Sequence, residues 1–196
     1  MYSVSDATSG ASVVGGDGAR TGVANSDRAQ PLWRALLTFL LCFFLLQLLW
    51  DHARGTPLER WFIERATAGT SAALINLLTP QELAVARGSS IVGRDGAINI
   101  RRGCEGIEAL FLLIAACMAY PFAAPLRLAG IAAGSVLVFV VNQARLLTLY
   151  YSVRRAPALF DSIHGLIAPL VLIVCTVSFF IMMLEWDRRV RSTAPG

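Results

Sequence analysis

The sequence predicts an all-α integral membrane protein with about four transmembrane helices, a short interfacial helix and a small β-hairpin on the outer side. Of its 196 residues, 56% are hydrophobic and only 15% are charged, whereas soluble domains carry about 25% charged residues. The mean hydropathy is +0.60. Buried helices of a soluble protein are the alternative, but the long charge-free runs would leave too few polar residues for a soluble surface.

The first 30 residues differ from the rest of the chain. They are rich in Gly, Ser, Ala and Asp, so they bury too little apolar surface to fold alone, and we expect a disordered tail. No apolar stretch follows the start, which argues against a cleaved signal peptide. We therefore divide the chain into a tail at 1–30 and a membrane domain at 31–190.

Four runs without charge follow the tail. They contain 16, 18, 17 and 20 residues, and they lie at 35–50, 109–126, 128–144 and 165–184. A spanning helix needs about 17–25 apolar residues, so each run predicts one transmembrane helix. The first run is interpreted as an uncleaved signal anchor.

The segment between the first two predicted spans has structure of its own. Residues 66–78 are apolar but short, which favours an interfacial or re-entrant helix. If they spanned the membrane instead, the sidedness of all later helices would invert. Farther along, Asp95 and Gly96 lie between β-branched runs, the signature of a tight hairpin.

Arginines in the tails and short loops set the expected orientation. Three arginines precede the first helix, three follow the last, and Arg127 lies between the second and third. The positive-inside rule therefore places both termini in the cytoplasm. Arg154 and Arg155, in the link between the third and fourth helices, argue the other way.

This topology brings three chemically active side chains to the outer face. Cys104 opens the second helix, Arg145 lies near the outer end of the third, and His164 begins the fourth. A helix N-terminus and the neighbouring Arg101 and Arg102 favour the nucleophilic thiolate of Cys104. Histidine transfers protons near neutral pH, and arginine is a good donor to a developing oxyanion. The set predicts acyl-transfer chemistry.

Other residues near these three are possible supports. Asn142 shares a helix face with Arg145, which makes it a second donor or an orienting group. Glu105 and Glu108 are first-turn acids that suit the helix dipole, and Glu108 is placed to line the same cleft. Each of the three main candidates also has a structural alternative. Cys104 could be a packing residue, Arg145 an interfacial anchor and His164 a local cap. The other cysteines, Cys42, Cys117 and Cys175, lie inside apolar runs and are assigned to packing.

The motifs Cys104-Glu105-Gly106-Ile107 and Asn142-Gln143-Ala144-Arg145, followed by His164, resemble the exosortase/archaeosortase family, with the core at about 66–186. The stretch CEGIEALFLLIAACMAYP is most similar to its short exosortase H branch. The resemblance implies a membrane cysteine transpeptidase with Cys104 as nucleophile, Arg145 as transition-state stabiliser and His164 as general acid/base. Many members have Ser where this chain has Glu105, so the nucleophile carries over from the family but the substrate contacts at position 105 do not.

The resemblance also implies the partners and the location. Exported client proteins carry a C-terminal sorting motif, IPTLxxWG-like in the H branch, before a transmembrane segment. The acceptor is unknown, and the site faces the periplasm from the bacterial inner membrane. No cofactor is needed, and the residue spacing fits no metal site. A membrane scaffold is the alternative function. A transporter would place charges near the membrane midplane, whereas the charges here cluster at the helix ends. Nucleic-acid binding would need one basic patch, and the arginines of this chain are scattered.

Overall fold

The computed structural model describes residues 31–94, 96–100, 105–155 and 157–193. The predicted tail at 1–30 lies outside these described residues, as do Asp95 and Cys104. The description below concerns the unit that begins at Pro31.

Three helical stretches are long and apolar enough to cross a membrane. They are helix α1 (Leu32–Ala53), the stretch Ala124–Val153 of helix α5 (Ala124–Arg155), and the stretch Pro157–Thr193. The last contains helix α6 (Pro157–Ser162), a π-helical segment (Ile163–Ile167) and helix α7 (Ala168–Thr193). The protein is therefore an integral membrane protein built of helices, as the sequence predicts.

The remaining predicted span, at 109–126, forms a shorter helix than expected. Helix α4 (Ile107–Ala119) has 13 residues and ends just before Tyr120 and Pro121. Proline lacks the N–H that would continue the helix and restricts the residue before it, so the run is divided at this point. Its last residues begin α5, which has 32 residues and is roughly 48 Å long.

The expected short helix at 66–78 is the end of a longer helical path. Helix α2 (Pro57–Arg60) leads into a π-helical segment (Trp61–Gly69) and then into helix α3 (Thr70–Leu78). Ala72 and Ile75 of α3 pack in one buried cluster with Leu146 and Tyr150 of α5. Helix α3 thus lies against the second half of α5.

A small antiparallel sheet follows α3. Its strands are β1 (Val85–Arg87), β2 (Ser90–Gly93) and β3 (Gly96–Asn99), in that spatial order. Strands β2 and β3 form the predicted hairpin, with Gly93 paired to Gly96 and Ser90 paired to Asn99. Strand β1 was not predicted. Ile91 of β2 is fully buried in the cluster that joins the sheet to α3 and α5.

Two glycines of α5 allow the long helices to approach closely. A Cβ atom at Gly130 would lie 1.9 Å from Cε of Met183 in α7, and one at Gly134 would lie 2.2 Å from Cδ2 of Leu113 in α4. Four-residue spacing of glycines is a known feature of close membrane-helix packing. Helices α4, α5 and α7 therefore meet at this place.

The bundle has two distinct ends. At one end, the sheet and α3 pack on the second half of α5. At the other, the Arg191 guanidinium of α7 donates to the carbonyl of Pro121 in the α4–α5 link, at 2.9 Å. Arg127 donates to the nearby carbonyl of Phe122.

Candidate active site

The beginning of α4 contacts α5 through Gly106. This residue caps α4 with φ of +76°, in the left-handed region that favours glycine. A Cβ atom added there would lie 2.9 Å from Cγ and 3.0 Å from Oδ1 of Asn142. Position 106 therefore requires glycine both for its backbone conformation and for its contact. This contact joins the first sequence motif to the second.

Asn142 and Arg145 lie three residues apart on α5, and both side chains are buried. Asn142 is 2% exposed and Arg145 is 7% exposed. Among the described residues, Oδ1 of Asn142 has no hydrogen-bond partner, which is uncommon for a buried acceptor. Arg145 is enclosed by protein, which does not fit a surface anchor extended toward solvent.

Buried hydrogen bonds fasten this part of α5 to its neighbours. The hydroxyl of Ser71 in α3 donates to Oε1 of Gln143 at 2.5 Å. The hydroxyl of Tyr150 donates to Oε2 of Glu82 at 2.8 Å, and both residues are buried. A Cβ atom at Gly93 of β2 would lie 1.9 Å from the Tyr150 hydroxyl oxygen, so this glycine makes room for the pair. These bonds fix the segment that carries Asn142 and Arg145.

His164 lies in the π-helical segment before α7, half-buried, and lines a cavity of about 360 Å³. Its ring stacks on Phe160, with centroids 5.6 Å apart and an angle of 1° between the planes. The remaining lining residues come from β3, from the last turns of α5 and from α6: Ala97, Ile98, Asn99, Leu146, Leu149, Val153 and Asp161. Leu146, which directly follows Arg145 on α5, lines this cavity, whereas Arg145 is not among its lining residues.

Glu105 and Glu108 face a different neighbour. Both line a small recess with Gln47, Trp50 and Arg54, at the C-terminal end of α1. Burial raises the pKa of Glu105 above its ordinary value, and the positive charge of Arg54 and a hydrogen bond from Trp50 partly oppose this rise. The structure does not bring these carboxylates into the cavity of His164.

The nucleophile predicted from the sequence, Cys104, lies outside the described residues. The structure therefore brings together Gly106 and Asn142 by direct contact, and it places His164 in a cavity bordered by the segment of α5 that follows Arg145. The three other cysteines are free, and Cys117 is fully buried with Leu113 and Met183. The packing role predicted from the sequence agrees with the position of Cys117, whereas Cys42 and Cys175 are only half-buried.

Comparison with known proteins adds the family. The family model described as transmembrane exosortase (Exosortase_EpsH) matches residues 7–183. The chain belongs to the transmembrane exosortase family. This match confirms the family resemblance, whose closer similarity to the exosortase H branch rests on residues 104–121. No curated protein and no solved structure matches the chain.

Several features of this candidate site were not predicted from the sequence. The bonds Ser71–Gln143 and Glu82–Tyr150 join residues about 70 positions apart, so no local pattern reveals them. Gly106 was noted only as part of a motif, although its position before an apolar helix is a signal for a cap. Within the described ranges, no three His, Cys, Asp or Glu side chains are grouped as a metal ion would require.

Proposed function

We propose that this protein is a membrane-embedded cysteine transpeptidase or peptidase that removes the C-terminal sorting tail of exported proteins through a thioester intermediate. Cys104 is the nucleophile, Arg145 stabilises the tetrahedral intermediate, and His164 is the general acid/base. Asn142 orients Arg145 or adds a second donor. The proposal applies to this chain the cysteine transpeptidase chemistry general to its family.

The observation that carries the proposal is the contact between Gly106 and Asn142. Cys104 comes only two residues before Gly106 in the sequence, and two residues of chain span at most about 7 Å, which is the reason to propose that its thiol acts beside the buried face of α5. A nucleophile and its stabilising groups must lie within a few ångströms of one reacting carbonyl. The contact between Gly106 and Asn142 supports this proposal because it holds the beginning of α4 against the segment that carries Arg145.

The proposed reaction has two steps. The Cys104 thiolate attacks the carbonyl carbon of the client peptide bond, and the guanidinium of Arg145 donates to the oxygen that becomes negative. The C–N bond then breaks as protonated His164 gives its proton to the leaving amine. An acceptor amine or water attacks the thioester, gives a proton to His164 and releases Cys104 as thiolate. Protons and electron pairs balance over the cycle.

The buried state of Arg145 suits this task. A guanidinium enclosed by protein interacts more strongly with a developing charge than one in water. The hydrogen bond from Ser71 to Gln143 and the pair of Tyr150 with Glu82 hold α5 on both sides of Arg145. The donor is therefore preorganised before the client binds.

The proposed membrane follows from the family, and the proposed orientation follows from the arginine distribution. The enzyme lies in the bacterial inner membrane with both termini cytoplasmic, and the end that carries the sheet faces the periplasm. The clients are exported proteins whose tail has a sorting motif, a transmembrane segment and basic residues. Membrane lipids surround the helices, and an amine or water accepts the acyl group.

The test uses a secreted reporter that carries an IPTLxxWG-like motif, an apolar segment and basic residues at its C-terminus. Co-expressed with the wild-type protein, the reporter should lose this tail, and mass spectrometry of its new C-terminus shows whether water or an amine resolves the thioester. Cys104→Ala should abolish cleavage without loss of folded protein. Replacing Cys42, Cys117 and Cys175 together by Ala should leave cleavage at least partly intact.

Wild-type cleavage by a Cys104→Ala protein would exclude the thiol mechanism. A non-catalytic membrane scaffold is the alternative function, and it predicts an intact reporter in every case. In that event the protein should instead co-purify with its partner irrespective of Cys104.

A further inference from the structure

Strand β3 is one of the two edge strands of the sheet, and part of its backbone points away from β2. The amide of Ile100 donates to the carbonyl of Ser89 at 2.8 Å, and the register pairs Ile98 with Ile91. In an antiparallel ladder, paired residues alternate between bonded and non-bonded positions. Ala97 and Asn99 are therefore the non-bonded positions, with backbone N–H and C=O groups directed outward.

These outward groups border the cavity of His164. Ala97 and Asn99 form one side of it, and both are exposed. The opposite wall consists of aliphatic side chains from α5, namely Leu146, Leu149 and Val153. A volume of about 360 Å³ lies within the range of small-ligand pockets. The cavity thus combines an open strand edge, an apolar wall and a histidine.

This combination selects one kind of occupant. An exposed strand edge offers donors and acceptors at the spacing of an extended peptide, and peptides are widely recognised by strand addition. A lipid chain would fill the apolar wall but would leave the strand edge unsatisfied. An extended peptide satisfies both, because alternate side chains of a strand point to one face.

We infer that the client's sorting segment binds as an added strand along β3, pairs with the backbone of Ala97 and Asn99, and inserts an apolar side chain against Leu149 and Val153. This inference rests on the proposed function and names the place where its substrate binds. Strand addition fixes the peptide main chain beside His164. It therefore orients the scissile bond as well as selecting the sequence.

The first test separates the backbone of position 99 from its side chain. Asn99→Pro removes the outward N–H, and proline is tolerated at such edge positions because no bond to β2 is lost. Asn99→Ala retains the N–H and removes the side chain, which accepts a hydrogen bond from Ser89. We expect kcat/KM for the reporter to be at least about fivefold lower with Pro than with Ala, mainly through KM. Equal values for the two variants would overturn strand pairing.

The second test fills the cavity. Val153→Trp should lower kcat/KM at least about fivefold, whereas Val140→Trp, on the exposed surface of the same helix, should leave it unchanged. Wild-type activity in Val153→Trp would overturn the predicted side-chain pocket. Normal folding of each variant is checked by thermal unfolding in detergent.

A binding measurement distinguishes failure of the inference from failure of the proposed function. A photoreactive residue is placed at Asn99 of the full-length Cys104→Ala protein, and a synthetic peptide with the IPTLxxWG-like motif is added. Crosslinking at position 99, and none from the same residue at Val140, supports binding along β3 whether or not Cys104 is the nucleophile. Efficient Cys104-dependent cleavage without this crosslink would overturn the binding site along β3 but would support the proposed enzyme function.

Discussion

Two structural features require glycine at position 106: the backbone conformation and the close contact with Asn142. Its φ of +76° is unfavourable for any residue with a Cβ atom, and that atom would lie within about 3 Å of the Asn142 side chain. Gly55 has the same φ of +76°, but nothing lies within 4 Å of its Cβ position. Gly55 is therefore a control for Gly106, because alanine there would cause the same backbone strain without a steric contact.

We predict that Gly106→Ala destabilises the protein more than Gly55→Ala does. Each variant should lose about 1 kcal/mol through backbone strain, and Gly106→Ala should lose about 1–3 kcal/mol more through the contact with Asn142. Thermal unfolding in detergent measures the difference. Adding Asn142→Ala should recover part of the extra loss, and equal destabilisation by both alanines would mean that the contact is unimportant.

Arg145 is expected to act through its planar, five-donor guanidinium. Arg145→Lys keeps the positive charge but replaces the fork with a single ammonium group. If the donor acts in the transition state, kcat should fall at least about tenfold with little change in KM. The kinetics of reporter cleavage measure both constants. A near-normal rate in the lysine variant would mean that Arg145 has a structural role and does not act in the transition state.

Glu105 should make stability depend on pH. Its pKa is raised in the folded protein from an ordinary value of 4.5, mainly by burial, while Arg54 opposes and Glu59 and Glu108 add to the rise. As pH increases above 4.5, the unfolded chain loses this proton first, so the free energy of unfolding falls until the folded pKa is passed. Below pH 4.5 both states are protonated and the dependence vanishes.

The Glu105→Gln variant should lack this fall. From pH 4.5 toward neutral pH, the Tm of the wild type should therefore fall relative to the Tm of the variant. Glu108→Gln, an exposed carboxylate three residues on, controls for the loss of one negative charge. A constant difference between wild type and Glu105→Gln across this range would contradict the burial of the carboxyl group.

Among the elements, α5 organises both the bundle and the site. Its first half carries the glycines that approach α4 and α7, and its second half carries Asn142 and Arg145. The charge-free runs predicted the helices because apolar length is a local property of sequence. They could not predict that α4 ends at Ala119, since that depends on Pro121 within an otherwise continuous apolar run. Strand β1 was missed because three residues form a strand only by pairing with β2.

The two α5 glycines should differ in their tolerance of alanine. At Gly130 the nearest atoms belong to the flexible end of Met183, which can move aside. At Gly134 they belong to the buried Leu113 and to the ring of Phe179, at 2.2 and 2.9 Å. Gly134→Ala should therefore cost about 1–3 kcal/mol through overpacking, and Gly130→Ala clearly less. Unfolding titrations in mixed detergent measure both, and a larger cost at Gly130 would contradict this packing.

In the whole molecule, the described candidate residues Asn142, Arg145 and His164 lie in or beside the half of α5 that packs on the sheet. Helix α4 begins beside Asn142 in the second half of α5, and His164 lies in a cavity lined by later residues of that same half, so residues distant in sequence lie along one part of α5. Direction and order are readable from the sequence, which is why a position of His164 near the second half of α5 could be predicted. The sequence does not show which helix packs against the beginning of α4, so it could not predict that Glu105 and Glu108 face α1.

The final prediction concerns which end faces the periplasm. The end opposite the sheet carries Arg127 and Arg191, which both bond the α4–α5 link, and the positive-inside rule places such an end in the cytoplasm. A single cysteine is introduced at the exposed Arg94 or at the exposed Ser192 in a background without native cysteines. A membrane-impermeant maleimide should label position 94 in intact spheroplasts and position 192 only after permeabilisation. The reverse pattern would invert the orientation and place the proposed site where exported clients do not pass.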